Sequence, residues 1–334
     1  MRFKMSTKKL TTSAMIASIA EEGQETHSAP FGHALVELAK KHDDIVGMSA
    51  DLAAYTDLHI FSREFPERFY QMGMAEQLLM SAAAGMAREG ATPFITTYAV
   101  FASRRAYDFI CMAIAEENLN VKIACALPGL TTGYGPSHQA TEDIAIFRGM
   151  PNLTIIDPCD AIDIEQAVPA IYEHQGPVYM RLLRGKVPVI LDRFPDYRFE
   201  VGKAKLLTEG QDVLIVSSGL MTMRAVQARD MLEKEGISVA VLHSPTIKPL
   251  DEETIVKEAQ ARNCLVVTAE NHTVVGGLGE AVASALMRNG VHRSFRQIGL
   301  PDEFLAAGAL PTLHDRYGIS AKAVAESVKR WLGK

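Results

Sequence analysis

Residues 69–77, FYQMGMAEQ, carry the strongest indication of how this chain folds. A short apolar stretch, predicted as a buried strand, leads into an Ala- and Met-rich helix predicted from Ala75, AEQLLMSAAAGMAREG. Glu76 stands at that junction, where burying a carboxylate costs free energy unless a partner is present. The start of a helix favours an anion by only about 0.3–1 kcal/mol. Two interpretations follow: a Glu that faces solvent, or a buried acid that hydrogen-bonds a ligand.

Predicted strands and helices alternate on both sides of this junction. The predicted strands are DIVGMSAD, RFYQMG, TPFITTY, NVKIACAL, LTIIDP and PVYMRLL, and helices are predicted at 32–41, 102–117, 141–149 and 160–174. This alternation is typical of a parallel α/β sheet, in which ligands gather at the carboxyl ends of the strands. Asp51, Glu76 and the Thr97–Tyr98 pair all fall at the ends of predicted strands, so one site is expected there.

The chain divides into two predicted units, because 334 residues are many for one core. Residues 189–209 include a stretch rich in Pro and charge, and we predict a linker there between units at 28–188 and 210–334. The strands DVLIVSSG, SVAVLHS and CLVVTAEN and the helix MTMRAVQARDMLEKEG indicate that the second unit is also α/β. The predicted fold class is therefore α/β, with two three-layer domains.

The first 27 residues are interpreted separately. Basic residues precede TTSAMIASIA, which faintly resembles a secretory signal, but the apolar part is short and interrupted by Thr and Ser. We expect a leader or an arm that packs in an oligomer, followed by a polar connector.

Composition excludes several function classes. The net charge is -6 and no basic stripe with interleaved aromatic residues occurs, so nucleic acid is not an expected partner. No run of about 18 apolar residues is present, so no membrane span is expected. The four cysteines show neither CxxC nor metal-ligand spacing, which indicates a reducing compartment, a cytoplasmic location and no metal site.

A set of motifs occurs in one order along the chain. These are MSADL at 48–52, GMAEQ at 73–77, TTYAVF at 96–101, GPSHQ at 135–139 and PVYMRLLRG at 177–185. Their order and spacing resemble the pyrimidine-binding domain of transketolase. TIKPLD at 246–251 and DEFLAAGALPTLHDRYGIS at 302–320 resemble the carboxy-terminal domain of the same family. The resemblance covers residues 30–334.

The resemblance implies thiamine diphosphate as the cofactor and Glu76 as the acid that hydrogen-bonds its aminopyrimidine, favouring the imino tautomer that removes the proton from the thiazolium ring. It also implies that Tyr98 and Phe101 sandwich the aminopyrimidine and that Asp51 lies near the cofactor at a subunit interface. From the residues alone, core packing is the usual role of two aromatics at this spacing, and Asp51 is consistent with a turn or helix-cap acid.

Three further residues are implied on the substrate side. His138 would contact sugar hydroxyls and move protons, although a solvent-exposed loop His is the simpler alternative. Arg184 would hold a substrate anion, with Arg181 as the other candidate and an exposed edge charge as the alternative. Arg104 stands where the family has a third aromatic residue, and it is a candidate for a replacement anion contact.

The sequence departs from the family mainly on the substrate side. Tyr134 and Ala126 stand where the family has an acid and a His, Ser28 lies where an Arg is usual, and Tyr55 replaces a small polar residue. Because the cofactor-side residues match while these do not, a bulkier, branched or differently charged donor is expected.

The GDG…N stretch with which transketolases hold magnesium does not occur in this sequence. The resemblance therefore implies that Mg2+ (or Ca2+) and the diphosphate lie on a partner, an N-terminal transketolase subunit. The active site would form between chains of an α2β2 enzyme in which this chain also pairs with itself.

The expected function is transfer of a two-carbon ketol unit from a ketose or ketose phosphate to an aldose. The alternatives are the β subunit of a 2-oxo acid dehydrogenase E1 component, an enzyme similar to deoxyxylulose phosphate synthase, and a non-catalytic assembly subunit.

Overall fold

The structure is a computed structural model that describes residues 19–20 and 23–334. The strands are β1 (Thr26–Ser28), β2 (Ile45–Ser49), β3 (Phe69–Gln71), β4 (Thr92–Tyr98), β5 (Lys122–Ala126), β6 (Thr154–Ile156), β7 (Val178–Leu182), β8 (Lys186–Pro188), β9 (Lys205–Thr208), β10 (Val213–Ser217), β11 (Val239–His243), β12 (Thr246–Lys248), β13 (Leu265–Thr273) and β14 (Phe295–Leu300). The α-helices are α1 (Pro30–Ala39), α2 (His59–Glu64), α3 (Glu76–Arg88), α4 (Ala99–Arg105), α5 (Tyr107–Phe109), α6 (Asp143–Arg148), α7 (Ala161–Glu173), α8 (Leu220–Glu233), α9 (Glu252–Ala261), α10 (Leu278–Arg288), α11 (Leu310–Arg316) and α12 (Ala321–Leu332).

The first sheet has seven strands in the order β12-β6-β7-β5-β4-β2-β3. All pairings from β6 to β3 are parallel, and β12 joins antiparallel to β6. Helices α1 and α7 pack together, and α3 packs against β4. The structure thus confirms the α/β fold class. It also shows that TIKPLD supplies an edge strand to the sheet of the first unit.

The second sheet has the order β14-β13-β10-β11-β9, with β9 antiparallel to β11 and the remaining pairs parallel. Because β9 belongs to this sheet, the predicted linker at 189–209 extends too far. Strand β1 pairs antiparallel with β8, so residues 26 and 27 of the predicted leader are part of a two-stranded ribbon. Residues 1–18 and 21–22 of that leader lie outside the described residues.

Helix α3 shows how the apolar pattern positions the junction at Glu76. Its buried residues Leu79, Met80, Ala83 and Ala84 recur at spacings that place them on one face. Fully burying a Leu or Met side chain contributes about 1.5–3 kcal/mol, so this face fixes the helix on the sheet.

One predicted helix is wrong in its extent. The single helix expected at 102–117 is divided by Ala106, whose backbone leaves the helical region at φ -114°, and a π-helical stretch follows at Ile110–Ala115. The helix start predicted at Asp160 is confirmed, because its side chain accepts from the Asp163 N–H at 2.8 Å.

The described helices include none that is long and apolar enough to cross a membrane.

Candidate active site

The register of the first sheet brings four strand ends to one edge. Ser49 pairs with Thr96, Tyr98 with Ala126, and Ala126 with Leu182. Residues that follow β2, β4, β5 and β7 therefore emerge along the same edge, as expected for a parallel sheet.

Glu76 is the first residue of α3, and its side chain is only 4% exposed. The Arg105 guanidinium donates from Nη1 to Oε1 of this carboxylate at 3.3 Å. The geometry is that of a buried acid at a helix N-terminus, where the helix dipole also favours the negative charge. The solvent-facing interpretation of Glu76 is excluded.

Aromatic rings form a cluster beside Glu76. The centroids of Tyr98 and Phe101 are 5.6 Å apart, and the His138 ring lies 5.9 Å from Tyr98 and 5.6 Å from Phe101. Tyr134, which stands where the family has an acid, lies 5.5 Å from His138. The cluster provides flat apolar surfaces next to an imidazole.

Arg105, which is not among the predicted site residues, connects Glu76 to this cluster. Its guanidinium carbon lies 4.0 Å from the centre of the Phe101 ring while its Nη1 bonds Glu76. Phe101 and Arg105 are four residues apart in α4, a spacing that places their side chains on one face of the helix. This spacing is the sequence signal that could have indicated Arg105 as a site residue.

His138 lies in the loop GPSHQ, which turns at Gly135 with φ 82°. Its backbone N–H donates to Gly135 O at 3.0 Å, and its Nδ1 lies 2.9 Å from the Ser137 hydroxyl. Burial, and then repulsion by the Arg105 guanidinium, lowers the pKa of His138. A neutral imidazole at neutral pH can accept or donate a proton.

Arg184 follows β7 and is 8% exposed. Its Nη1 donates to Tyr55 O at 2.9 Å, and its guanidinium carbon lies 5.5 Å from the Tyr98 ring centre. The Nε is buried without a hydrogen-bond partner. A cleft of about 220 Å³ adjoins Arg184, and residues 131–134 and 308–310 line the remainder. This cation is therefore available to a bound group.

The described chain matches the transketolase pyrimidine-binding domain over residues 24–189 and the transketolase C-terminal domain over residues 202–324. The chain belongs to the transketolase family.

Similar proteins include transketolase-family chains of about the same length. The chain is 71% identical to an uncharacterised transketolase family protein of Sinorhizobium fredii, over 97% of this chain and 94% of that protein. It is 40% identical to a 6-deoxy-6-sulfo-D-fructose transketolase subunit of a Clostridium species, over 87% and 89%. A solved structure described as a split gene transketolase, inactive β4 tetramer, superposes with a TM-score of 0.82 at 41% identity, covering 90% of this chain and 96% of that one.

Arg104 does not have the contacts expected of a substrate ligand in this transketolase fold. It pairs with Glu142 and donates to Pro136 O at 2.9 Å and to Gln139 O at 3.5 Å. Its guanidinium braces the loop that carries His138. The anion contact of Arg104 stays a prediction, and the contacts that its side chain makes here are those that brace the loop.

Arg181 is removed from the candidates. It is fully buried, donating to Asp143 at 2.9 and 3.1 Å, to Asp157 at 3.1 Å and to Asn271 O at 2.9 Å. Because Asn271 lies in β13, the guanidinium joins the two units and does not face the cleft.

Asp57 is a residue that the sequence analysis missed. It is buried, adopts φ 62°, and accepts from the Gly185 N–H at 2.8 Å. Burial raises the pKa of Asp57 to about 6, although the Gly185 N–H and the charge of Arg184 oppose this. A carboxylate close to Arg184 reduces the positive potential at the end of the cleft.

Asp51 differs from the other predicted residues in being exposed. It adopts φ 59°, and its backbone N–H donates to the Gln71 side chain at 2.6 Å. The exposure of Asp51 leaves its predicted place at a subunit interface a prediction.

The residues fit the aminopyrimidine of thiamine diphosphate. A flat group with N–H donors, the Arg105 guanidinium, already lies on the Phe101 ring and bonds Glu76. The Phe101 face and the Glu76 carboxylate are therefore the groups that a flat ring with nitrogen atoms would use.

No comparable fit exists for magnesium in the part of the chain that the structure describes. The one group of potential metal ligands there, Cys159, Asp163 and His243, is fully buried. Asp163 already accepts from Tyr197 at 2.6 Å and lies 2.9 Å from His243. Magnesium prefers oxygen ligands shared with phosphates, which this network does not offer.

Proposed function

We propose that this chain is the C-terminal subunit of a two-component transketolase that uses thiamine diphosphate to transfer a two-carbon ketol unit from a ketose to an aldose. The observation that carries the proposal is the buried Glu76 carboxylate, which the Arg105 guanidinium links to the Phe101 ring. Membership of the transketolase family supports the same reaction class.

Each site residue has a distinct task. When bound, thiamine diphosphate supplies a carbon nucleophile that takes up the ketol unit. Glu76 hydrogen-bonds a ring nitrogen of the aminopyrimidine, and Tyr98 and Phe101 sandwich the ring. His138, neutral at neutral pH, moves a proton to or from a substrate hydroxyl. Arg184 fixes the distal end of the sugar, and Asp51 faces the subunit boundary.

A partner subunit completes the site. The diphosphate requires a divalent cation, and we assign Mg2+ (or Ca2+) to an N-terminal transketolase subunit in an α2β2 complex. The split gene relative whose β4 tetramer is described as inactive supports the need for a second subunit. The free cysteines support a cytoplasmic location.

The charge around Arg184 indicates the class of donor. Asp57 offsets the single cation, and Tyr55 stands where the family has a small polar residue. We therefore propose a ketose whose distal group carries one negative charge or none, in preference to a phosphate dianion. The Clostridium relative named for a sulfo sugar supports this choice, because a sulfonate carries one charge.

The test is co-expression with the N-terminal transketolase-type subunit encoded nearest to this chain. Ketol transfer is measured with unsubstituted, sulfonated and phosphorylated ketose donors. Glu76→Gln should reduce kcat at least about a hundredfold with assembly preserved, whereas Glu89→Gln, at the exposed opposite end of α3, should not.

Other outcomes identify the alternatives. Retained activity of the Glu76→Gln complex would indicate an assembly subunit. Carbon dioxide release from pyruvate with carbon–carbon bond formation to an aldehyde would indicate a synthase. Carbon dioxide release with acyl transfer to a lipoyl group would indicate a dehydrogenase component. Turnover by this chain alone would contradict the split site.

A further inference from the structure

Arg105 makes the two contacts that an aminopyrimidine ring would make. Its guanidinium carbon lies 4.0 Å from the centre of the Phe101 ring, and its Nη1 donates to Glu76 at 3.3 Å. A guanidinium is planar and carries its N–H donors at the edge of the plane. Arg105 therefore stacks by its face and bonds by its edge, as an aminopyrimidine would.

The two groups that Arg105 contacts are the two assigned to the coenzyme ring. One face of Phe101 and one carboxylate oxygen cannot serve the guanidinium and a pyrimidine together. Resting on the proposed function, we propose that Arg105 is a placeholder. It occupies the pyrimidine position in the unloaded subunit, and coenzyme binding displaces it.

The surroundings of Arg105 allow it to leave. Its side chain is 53% exposed, so displacement does not open the core. The adjacent Arg104 is different, since Glu142 and two loop carbonyls hold it. Of the two neighbouring arginines, Arg105 is therefore the one whose contacts the coenzyme would replace.

The contacts also explain why a placeholder is useful. A buried carboxylate without a partner is costly, and Arg105 supplies a donor to Glu76 before the coenzyme arrives. The cation covers the Phe101 face as well. Loading the coenzyme must then break both contacts, which weakens its apparent affinity.

The size of this effect follows from the exposure of the pair. A cation–π contact and an ion pair at such a half-exposed site each change an equilibrium constant by about fivefold. Removing both contacts should therefore tighten coenzyme binding by about five- to thirtyfold.

The experiment uses the complex reconstituted with the N-terminal subunit and titrates it calorimetrically with thiamine diphosphate in magnesium buffer. Arg105→Ala should lower Kd by about five- to thirtyfold, and Arg105→Lys, which keeps charge but not the flat face, by less. Arg88→Ala is the matched control. Arg88 is the last residue of α3, at the end opposite Glu76, and it also pairs with a carboxylate, that of Glu117. Its Kd should equal that of the wild type.

A second readout follows Arg105 directly. Phenylglyoxal labelling mapped by mass spectrometry should be faster at Arg105 in the loaded complex than in the unloaded one, and equal at Arg104 in both. An unchanged or higher Kd in Arg105→Ala, or slower labelling of Arg105 on loading, overturns the placeholder.

Glu76→Gln separates this outcome from failure of the proposed function. If Glu76→Gln weakens coenzyme binding while Arg105→Ala does not tighten it, the placeholder alone is wrong. If Glu76→Gln, made in the Arg105→Ala background so that no placeholder contact changes with it, leaves Kd unchanged, Glu76 is not the coenzyme acid, and the proposed function fails with it.

Discussion

Replacing Arg181 by Met should destabilise the chain strongly, because it leaves two buried carboxylates without their cation. The guanidinium donates to Asp143 at 2.9 and 3.1 Å and to Asp157 at 3.1 Å, and all three side chains are almost fully buried. Removing one partner of a buried ion pair costs about 3–5 kcal/mol. Because Met fills a volume similar to that of Arg, the loss of stability should come mainly from the missing positive charge and only to a small extent from a cavity.

Remaining hydrogen bonds place the expected loss near the lower end of that range. Asp143 keeps the Tyr179 hydroxyl at 2.6 Å, and Asp157 keeps the Ser218 hydroxyl at 2.8 Å. Burial already raises the pKa of Asp157, with Arg181 opposing it, so the variant raises that pKa further. Protonation then removes the unpaired charge, and the destabilisation should shrink as the pH falls.

Urea and thermal unfolding of the isolated chain measure the effect. We expect the free energy of unfolding to fall by about 3 kcal/mol at pH 8. For a chain of 334 residues the midpoint temperature should fall by about 4 °C. Arg88→Met, which breaks an exposed pair with Glu117, should leave the free energy of unfolding close to that of the wild type. A loss below about 1 kcal/mol for Arg181→Met, or one independent of pH, would refute the reasoning.

Three further predictions concern the cleft. In the unloaded chain an NMR titration of His138 should have its midpoint below about 6.5, and Arg105→Ala should raise it, because a nearby cation disfavours the imidazolium. Gly133→Ala should destabilise the chain by about 1–3 kcal/mol, since its Cβ would lie 2.0 Å from Gly308 O. Because burial raises the pKa of Asp57 to about 6, the neutral form stabilises the fold, and this contribution declines as the pH rises from about 4 and is lost above 6. Asp57→Asn should lack this decline in urea unfolding at pH 5 and pH 8.

Each of these three predictions has an outcome that would contradict it. If the titration midpoint of His138 is unchanged in Arg105→Ala, the charge of the Arg105 guanidinium does not affect the protonation of His138. Gly85→Ala serves as the control for Gly133, because nothing lies within 4 Å of its Cβ, and equal stability of both variants would exclude the clash. Parallel pH dependence in wild type and Asp57→Asn would mean that Asp57 titrates normally in the fold.

The sequence predicted features that rest on local periodicity. The strand-to-helix junction at Glu76, the helix start at Asp160 and the parallel sheet all follow from apolar spacing and capping residues. The prediction that the strand before Glu76 is buried is wrong, because β3 is an edge strand whose residues are half-buried or exposed. The edge strand β12 was not predicted as part of the first sheet. It has only three residues, ends before Pro249, and pairs with a strand distant in sequence.

The candidate site was predicted less completely, because burial of charged residues depends on tertiary packing. Arg181 and Arg184 are three residues apart, so they project to opposite sides of an extended segment. The sequence alone left both as anion ligands, whereas only Arg184 borders the cleft. Arg104 and Arg105 are adjacent, and only the fold shows that the first braces a loop and the second contacts Glu76.

The central claim is that Glu76 of this chain and a diphosphate site on another chain hold one thiamine diphosphate. Its most direct test is a crystal structure of the reconstituted complex with the coenzyme bound. We expect a Glu76 oxygen within about 2.6–3.2 Å of a pyrimidine nitrogen, and the magnesium diphosphate on the partner. A coenzyme bound while Glu76 remains paired with Arg105, or a diphosphate held by this chain, would contradict the account.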